Sequence, residues 1–144
     1  MHLKTNLALL LPLLMAGCTS ATPTVDPAGT AATEGAAVRS SPVIVGRPAR
    51  VFVMAGFGKN CEPVAAPEIT VTEPPEKGDV SFIPGQETTI QYSAAGTCVG
   101  QKTTGTGIYY TARSGTSGTD KFAVSAKLAG GEVASRAFEV RITE

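Results

Sequence analysis

From residue 43 to residue 143, apolar and polar side chains alternate with a period of two, and helical spacing is nowhere sustained. The last two segments show this most cleanly. In "DKFAVSAKL" (Asp120 to Leu128), Phe122, Val124, Ala126 and Leu128 alternate with Lys121, Ser125 and Lys127. In "VASRAFEVRI" (Val133 to Ile142), Phe138, Val140 and Ile142 alternate with Glu139 and Arg141. Each segment has one face for a core and one for water. "AGGE" (Ala129 to Glu132) between them predicts a hairpin turn, its glycines supplying positive φ. The same reading predicts strands at "ARVFVMAGF" (Ala49 to Phe57), "EITVTE" (Glu68 to Glu73), "GDVSFI" (Gly78 to Ile83), "TTIQYS" (Thr88 to Ser93) and "GIYYTA" (Gly107 to Ala112). "PVIV" (Pro42 to Val45) adds a short edge strand, which Pro48 separates from the next. Seven or eight strands punctuated by Pro and Gly predict an all-β chain folded as an antiparallel β-sandwich.

The N-terminus has a different pattern. Lys4 is followed by the apolar run "LALLLPLLMA" (Leu7 to Ala16) and by small residues before Cys18. A charged start, a short apolar stretch and a small-residue cleavage site predict an export signal, and the run falls well short of the roughly 20 residues that span a bilayer. "LMAGC" resembles the lipobox of bacterial lipoproteins, in which the cysteine is acylated and the signal is cut before it. Met15 stands where Leu is usual, with Leu14 beside it. The resemblance implies lipid attachment at Cys18, and Thr19 after it is similar to outer-membrane sorting in enteric bacteria. The alternative is an ordinary signal peptide with an incidental cysteine. Residues 19 to 41, "TSATPTVDPAGTAATEGAAVRSS", lack an apolar period and read as a disordered tether. The expected division is a signal peptide over 1–17, the lipidated Cys18 and linker over 18–41, and a domain over 42–144.

Removal of residues 1 to 17 narrows the available chemistry. It takes away His2, the only histidine, and Lys4, leaving eleven basic against twelve acidic side chains. A nucleic-acid binder needs a basic footprint, and none remains. Cys61 and Cys98 are then an even pair in an exported chain, most simply a disulfide. A redox pair is usually Cys-x-x-Cys, and zinc needs about four ligands, so neither alternative suits two distant cysteines without histidine. No metal site or cofactor is expected. The core is thin, with five Phe and no Trp in the whole chain, which makes a cross-link useful.

"PPEKGDVSF" (Pro74 to Phe82) and "YYTARSGTSGTDKFAV" (Tyr109 to Val124) resemble the signature of bacterial immunoglobulin-like and cadherin-like modules. Pro75, Gly78 and Val80 match a Pro-x-x-Gly-x-Val strand start; Tyr110, Thr111, Gly115, Gly118, Asp120 and Phe122 match the second part. Ala112 replaces the usual Pro, Thr116 a common aromatic, and about twenty residues containing Cys98 are inserted between the two parts. The resemblance implies an immunoglobulin-like sandwich and bears on fold more than on function. Gly115 and Gly118 predict a tight corner, Phe122 a core plug just after it, and Asp120 an acceptor for turn amides. A calcium ligand at Asp120 is the sharper alternative, but calcium takes six to eight oxygens and this segment carries one carboxylate.

Nucleophilic catalysis needs a base held near a nucleophile. The mature chain has no histidine and no Ser-x-x-Lys, and the acidic group Glu73, Glu76 and Asp79 reads as a solvated turn. The expected function is a non-catalytic binding module for another envelope protein or a cell-wall component. The alternatives are an inhibitor of an envelope enzyme, or a purely structural component. Two candidate surfaces stand out, "GFGKNCEP" (Gly56 to Pro63) and "GTCVGQKTTGTG" (Gly96 to Gly107), which the disulfide would bring together. Tyr109 alternates away from Ile108 and Tyr110, and either faces solvent or packs on the sheet face.

Overall fold

A computed structural model describes residues 34–39, 41–93 and 96–144. The expected signal peptide, Cys18, Thr19 and most of the expected linker lie outside the described residues. The rest is all-β: β1 (Glu34–Val38), β2 (Val43–Ile44), β3 (Ala49–Met54), β4 (Glu68–Glu73), β5 (Gly78–Thr89), β6 (Lys102–Ala112), β7 (Gly118–Lys127) and β8 (Val133–Thr143). One sheet has the order β1-β8-β7-β4, with β2 also on β8, and the other has the order β3-β6-β5. If β1 and β2 are taken as one interrupted first strand, the second, fifth and fourth strands face the first, seventh, sixth and third. That is the B-E-D against C-F-G arrangement of an immunoglobulin-like sandwich, with the first strand paired to the last.

The alternation read from the sequence fills the space between the sheets. Ile108, Tyr110 and Ala112 of β6 meet Phe122 and Val124 of β7 and Phe138, Val140 and Ile142 of β8, all buried in one cluster with Val43. Phe122 stacks on Phe138 at 5.0 Å between ring centroids and on Tyr110 at 6.0 Å. The hairpin at 128–132 forms as expected, with Leu128 N donating to Glu132 O at 2.8 Å and Gly131 at φ 86°.

Three boundaries differ from the sequence reading. Glu34–Val38, expected in the linker, pairs in parallel with β8, Glu34 opposite Arg136 and Val38 opposite Glu139. A strand at the sheet margin needs only backbone partners, so this Ala- and Gly-containing run shows no alternation. Segments 78–83 and 88–93, expected as two strands, are one strand ending at Thr89. The pairing slips between Ile83 and Gln86, where Gly85 takes φ 70°. Pro84 and Gly85, which read as a break, form a bulge on an edge strand, where a missing N–H costs little. Finally, the second half of the expected loop at 96–107 belongs to β6, which begins at Lys102.

Candidate functional site

The connections gather at the two ends of the sandwich. At one end lie residues 55–67 between β3 and β4, residues 90–93 and 96–101 between β5 and β6, and the β7–β8 hairpin. The beginning of β1 reaches the same end, because Glu34 pairs with Arg136 near the start of β8. At the other end lie residues 74–77 and 113–117.

The loop end carries a groove of about 900 Å³, large enough for a small ligand or a peptide segment. Phe52, Phe57, Val64, Ile90, Leu128 and Val133 supply much of its apolar wall. The Arg136 guanidinium lies 4.2 Å from the centroid of the Phe52 ring and 5.7 Å from that of Tyr92, fixing a cation against two aromatic faces. Cys61 and Cys98 are joined, with Cα atoms 5.4 Å apart, so the first two connections are tied together beside the groove as the cysteine count predicts. Both cysteines are left-handed, at φ 64° and 63°, a conformation uncommon outside glycine. Gly58 N donates to Glu62 O and Gln101 N to Cys98 O, so each cysteine sits in a closed turn. The two candidate loops therefore meet. The aromatic and guanidinium wall behind them, Phe52, Tyr92 and Arg136, comes from residues that read in sequence only as ordinary strand positions.

The opposite end is organised around Asp120, which is 5% exposed. Its carboxylate accepts from Tyr110 Oη at 2.7 Å, Lys77 N at 2.8 Å, Glu76 N at 3.2 Å and Lys121 N at 2.9 Å. Asp120 is an acceptor, but none of its three amides lies in the Gly115–Gly118 corner as expected: two belong to the β4–β5 connection and the third is that of Lys121, the next residue in β7. Burial pushes the Asp120 carboxyl up, yet the Tyr110 hydroxyl and the three amides together outweigh it and hold the group below its ordinary value. Burial first, then the bond to Asp120, drives the Tyr110 phenol well above its ordinary value. Gly115 and Gly118 take φ 77° and 79°, turning the chain, and Phe122 is buried just beyond. Lys77 Nζ donates to Ser117 O at 3.0 Å and Thr119 O at 2.9 Å, closing the same corner. Gly78 is required by contact: a Cβ there would collide with the Tyr110 ring and the Thr111 carbonyl.

The remaining candidates fall outside both arrangements. Asp79 pairs with Arg113 at 3.2 Å, while Glu73 and Glu76 are exposed, so the three carboxylates do not converge on one point. Among the described residues there is no group of three or more His, Cys, Asp or Glu placed to hold a metal. Tyr109 is half-buried and donates to Gln86 Oε1 at 2.8 Å, packing on the sheet face. Comparison with family models, with curated proteins and with solved structures finds no match.

Proposed function

We propose that the protein is a lipid-anchored lipoprotein of the bacterial envelope whose immunoglobulin-like domain is a non-catalytic binding module. Its ligand-facing surface is the loop end. The observation that carries this reading is the groove beside the Cys61–Cys98 cross-link, where an apolar wall surrounds the Arg136 guanidinium held on Phe52 and Tyr92. Binding sites favour a rigid apolar cavity with a few placed polar groups. The Asp120 cluster does not compete for this role, because four donors already occupy its carboxylate at the opposite end. Attachment is supported by the lipobox-like "LMAGC" at Cys18, and the bacterial module assignment by the spacing of Gly115, Gly118, Asp120 and Phe122.

Two measurements test the reading together. Replacing Cys18 with Ala moves the protein from the membrane fraction to the soluble fraction; continued membrane fractionation contradicts the anchor. Crosslinking in intact cells followed by mass spectrometry yields one dominant envelope partner for the anchored protein. Diffuse crosslinks to abundant neighbours, unchanged in the Cys18→Ala control, would favour a structural component.

A further inference from the structure

Among the described residues seven large apolar side chains are notably exposed, and four of them, Val64 (39%), Tyr92 (53%), Val99 (58%) and Val133 (57%), rim the loop end. They come from two connections and the start of β8, and the cross-link at Cys61 and Cys98 ties the two connections together. Val99 follows Cys98 directly, so the cross-link keeps its backbone close to the connection that carries Cys61. Exposed apolar side chains gathered at one end of a small domain mark a contact surface.

The course of the chain says what that surface meets. The first described strand starts at Glu34, paired with Arg136, three residues from Val133 at the loop end. Only fifteen residues, 19 to 33, separate it from Cys18. In any arrangement they span at most about 50 Å, so a lipid on Cys18 would keep the domain within that distance of the bilayer, and the described chain begins at the rimmed end, not at the Asp120 end. Tethering of this kind gives the surface an effective concentration on the order of millimolar, enough to populate a weak contact.

We infer that the loop end docks on the lipid surface to which Cys18 anchors the chain, with Val64, Tyr92, Val99 and Val133 seated at the interface. This rests on the lipid-anchor reading and deepens it: the groove opens on the membrane side, and its ligand is a molecule resident there. The cations at this end, Lys59, Lys102, Lys127 and Arg136, are nearly equalled in number by Glu62, Glu68 and Glu132, so the contact is mainly apolar and depends little on salt.

The chain has no Trp, so a single Trp is a clean reporter. Full-length protein extracted from membranes is placed in phosphatidylethanolamine–phosphatidylglycerol vesicles, with and without brominated acyl chains. Val133→Trp reports the loop end, Val99→Trp is a second reporter there, and Ser114→Trp reports the opposite end; circular dichroism checks each fold. The expected result is that bromination removes about half or more of the emission at positions 133 and 99, in low and high salt alike, and little at 114, as for side chains reaching the headgroup–acyl boundary. Equal emission from all three positions on brominated vesicles overturns the docking. Blue-shifted but unquenched emission at 133 also overturns it, because a protein surface would then cover the rim. Flotation of the same samples separates the two readings. If the unsubstituted chain floats no better than Cys18→Ala, the anchor has failed and the docking with it; if it floats without quenching, the docking alone has failed.

Discussion

Asp120 shows how one carboxylate can join two connections that are far apart in sequence. Removing it by Asp120→Ala leaves the Tyr110 hydroxyl and the amides of Glu76 and Lys77 without their acceptor, and should lower the unfolding free energy by about 3 kcal/mol in urea denaturation. Tyr110→Phe removes one bond to a charged group and should cost about 2 kcal/mol. The pH dependence follows from the directions of the two shifts. The Asp120 value is lower in the folded protein than in the unfolded chain, so its contribution is full above an unfolded value of about 3.9 and is lost as pH falls below it. The Tyr110 value is raised, so its contribution is full below an unfolded value of about 10 and is lost as pH climbs beyond it. A stability–pH profile of Asp120→Ala should therefore have a shallower acid limb than the unsubstituted protein; parallel limbs would contradict the assignment. The acceptor role and the glycine corner were legible because Gly115, Gly118 and Asp120 are close in sequence. The amides of residues 76 and 77 were not, since they approach only once the two sheets stack.

The elements were legible wherever one face is buried. β4, β7 and β8 follow the alternation of their side chains, because burial on one side imposes it. The sequence reading failed where the backbone decides. Pro84 and Gly85 are punctuation in most contexts, but here they bulge a continuous edge strand, and β1 pairs with β8 although its run shows no alternation. Gly85→Val forces a β-branched residue to φ 70° and should cost about 1 to 2 kcal/mol without altering the β-rich circular dichroism. A split of β5 seen by amide exchange in the unsubstituted protein would contradict the bulge. The cross-link acts on a larger scale. Cys61 and Cys98 are 37 residues apart, and replacing both with Ala should lower stability by about 4 kcal/mol in the chain-entropy model, read from thermal or denaturant unfolding. It also frees two connections that the bond holds in left-handed turns. The pairing was legible from the cysteine count and the expected export of the chain; the two aromatic rings that bracket Arg136 required the fold.

The whole molecule has a division of labour between its ends. One end is closed by Asp120, Lys77 and the Gly115–Gly118 corner, with its polar groups satisfied within the chain. The other carries the groove, the cross-link and most of the large exposed apolar side chains, and the described chain begins beside it. Sequence separated neither end by function, because an exposed valine in a loop and an arginine in a strand look ordinary until three connections bring them together. The most direct test of a binding module that works through the loop end is site-specific photo-crosslinking in intact cells, with the photoreactive residue placed at Val64, Val99 or Ser114. The account predicts a discrete, saturable adduct, protein or lipid, from positions 64 and 99, and none from 114. Adducts of the same diffuse pattern from all three positions would contradict it.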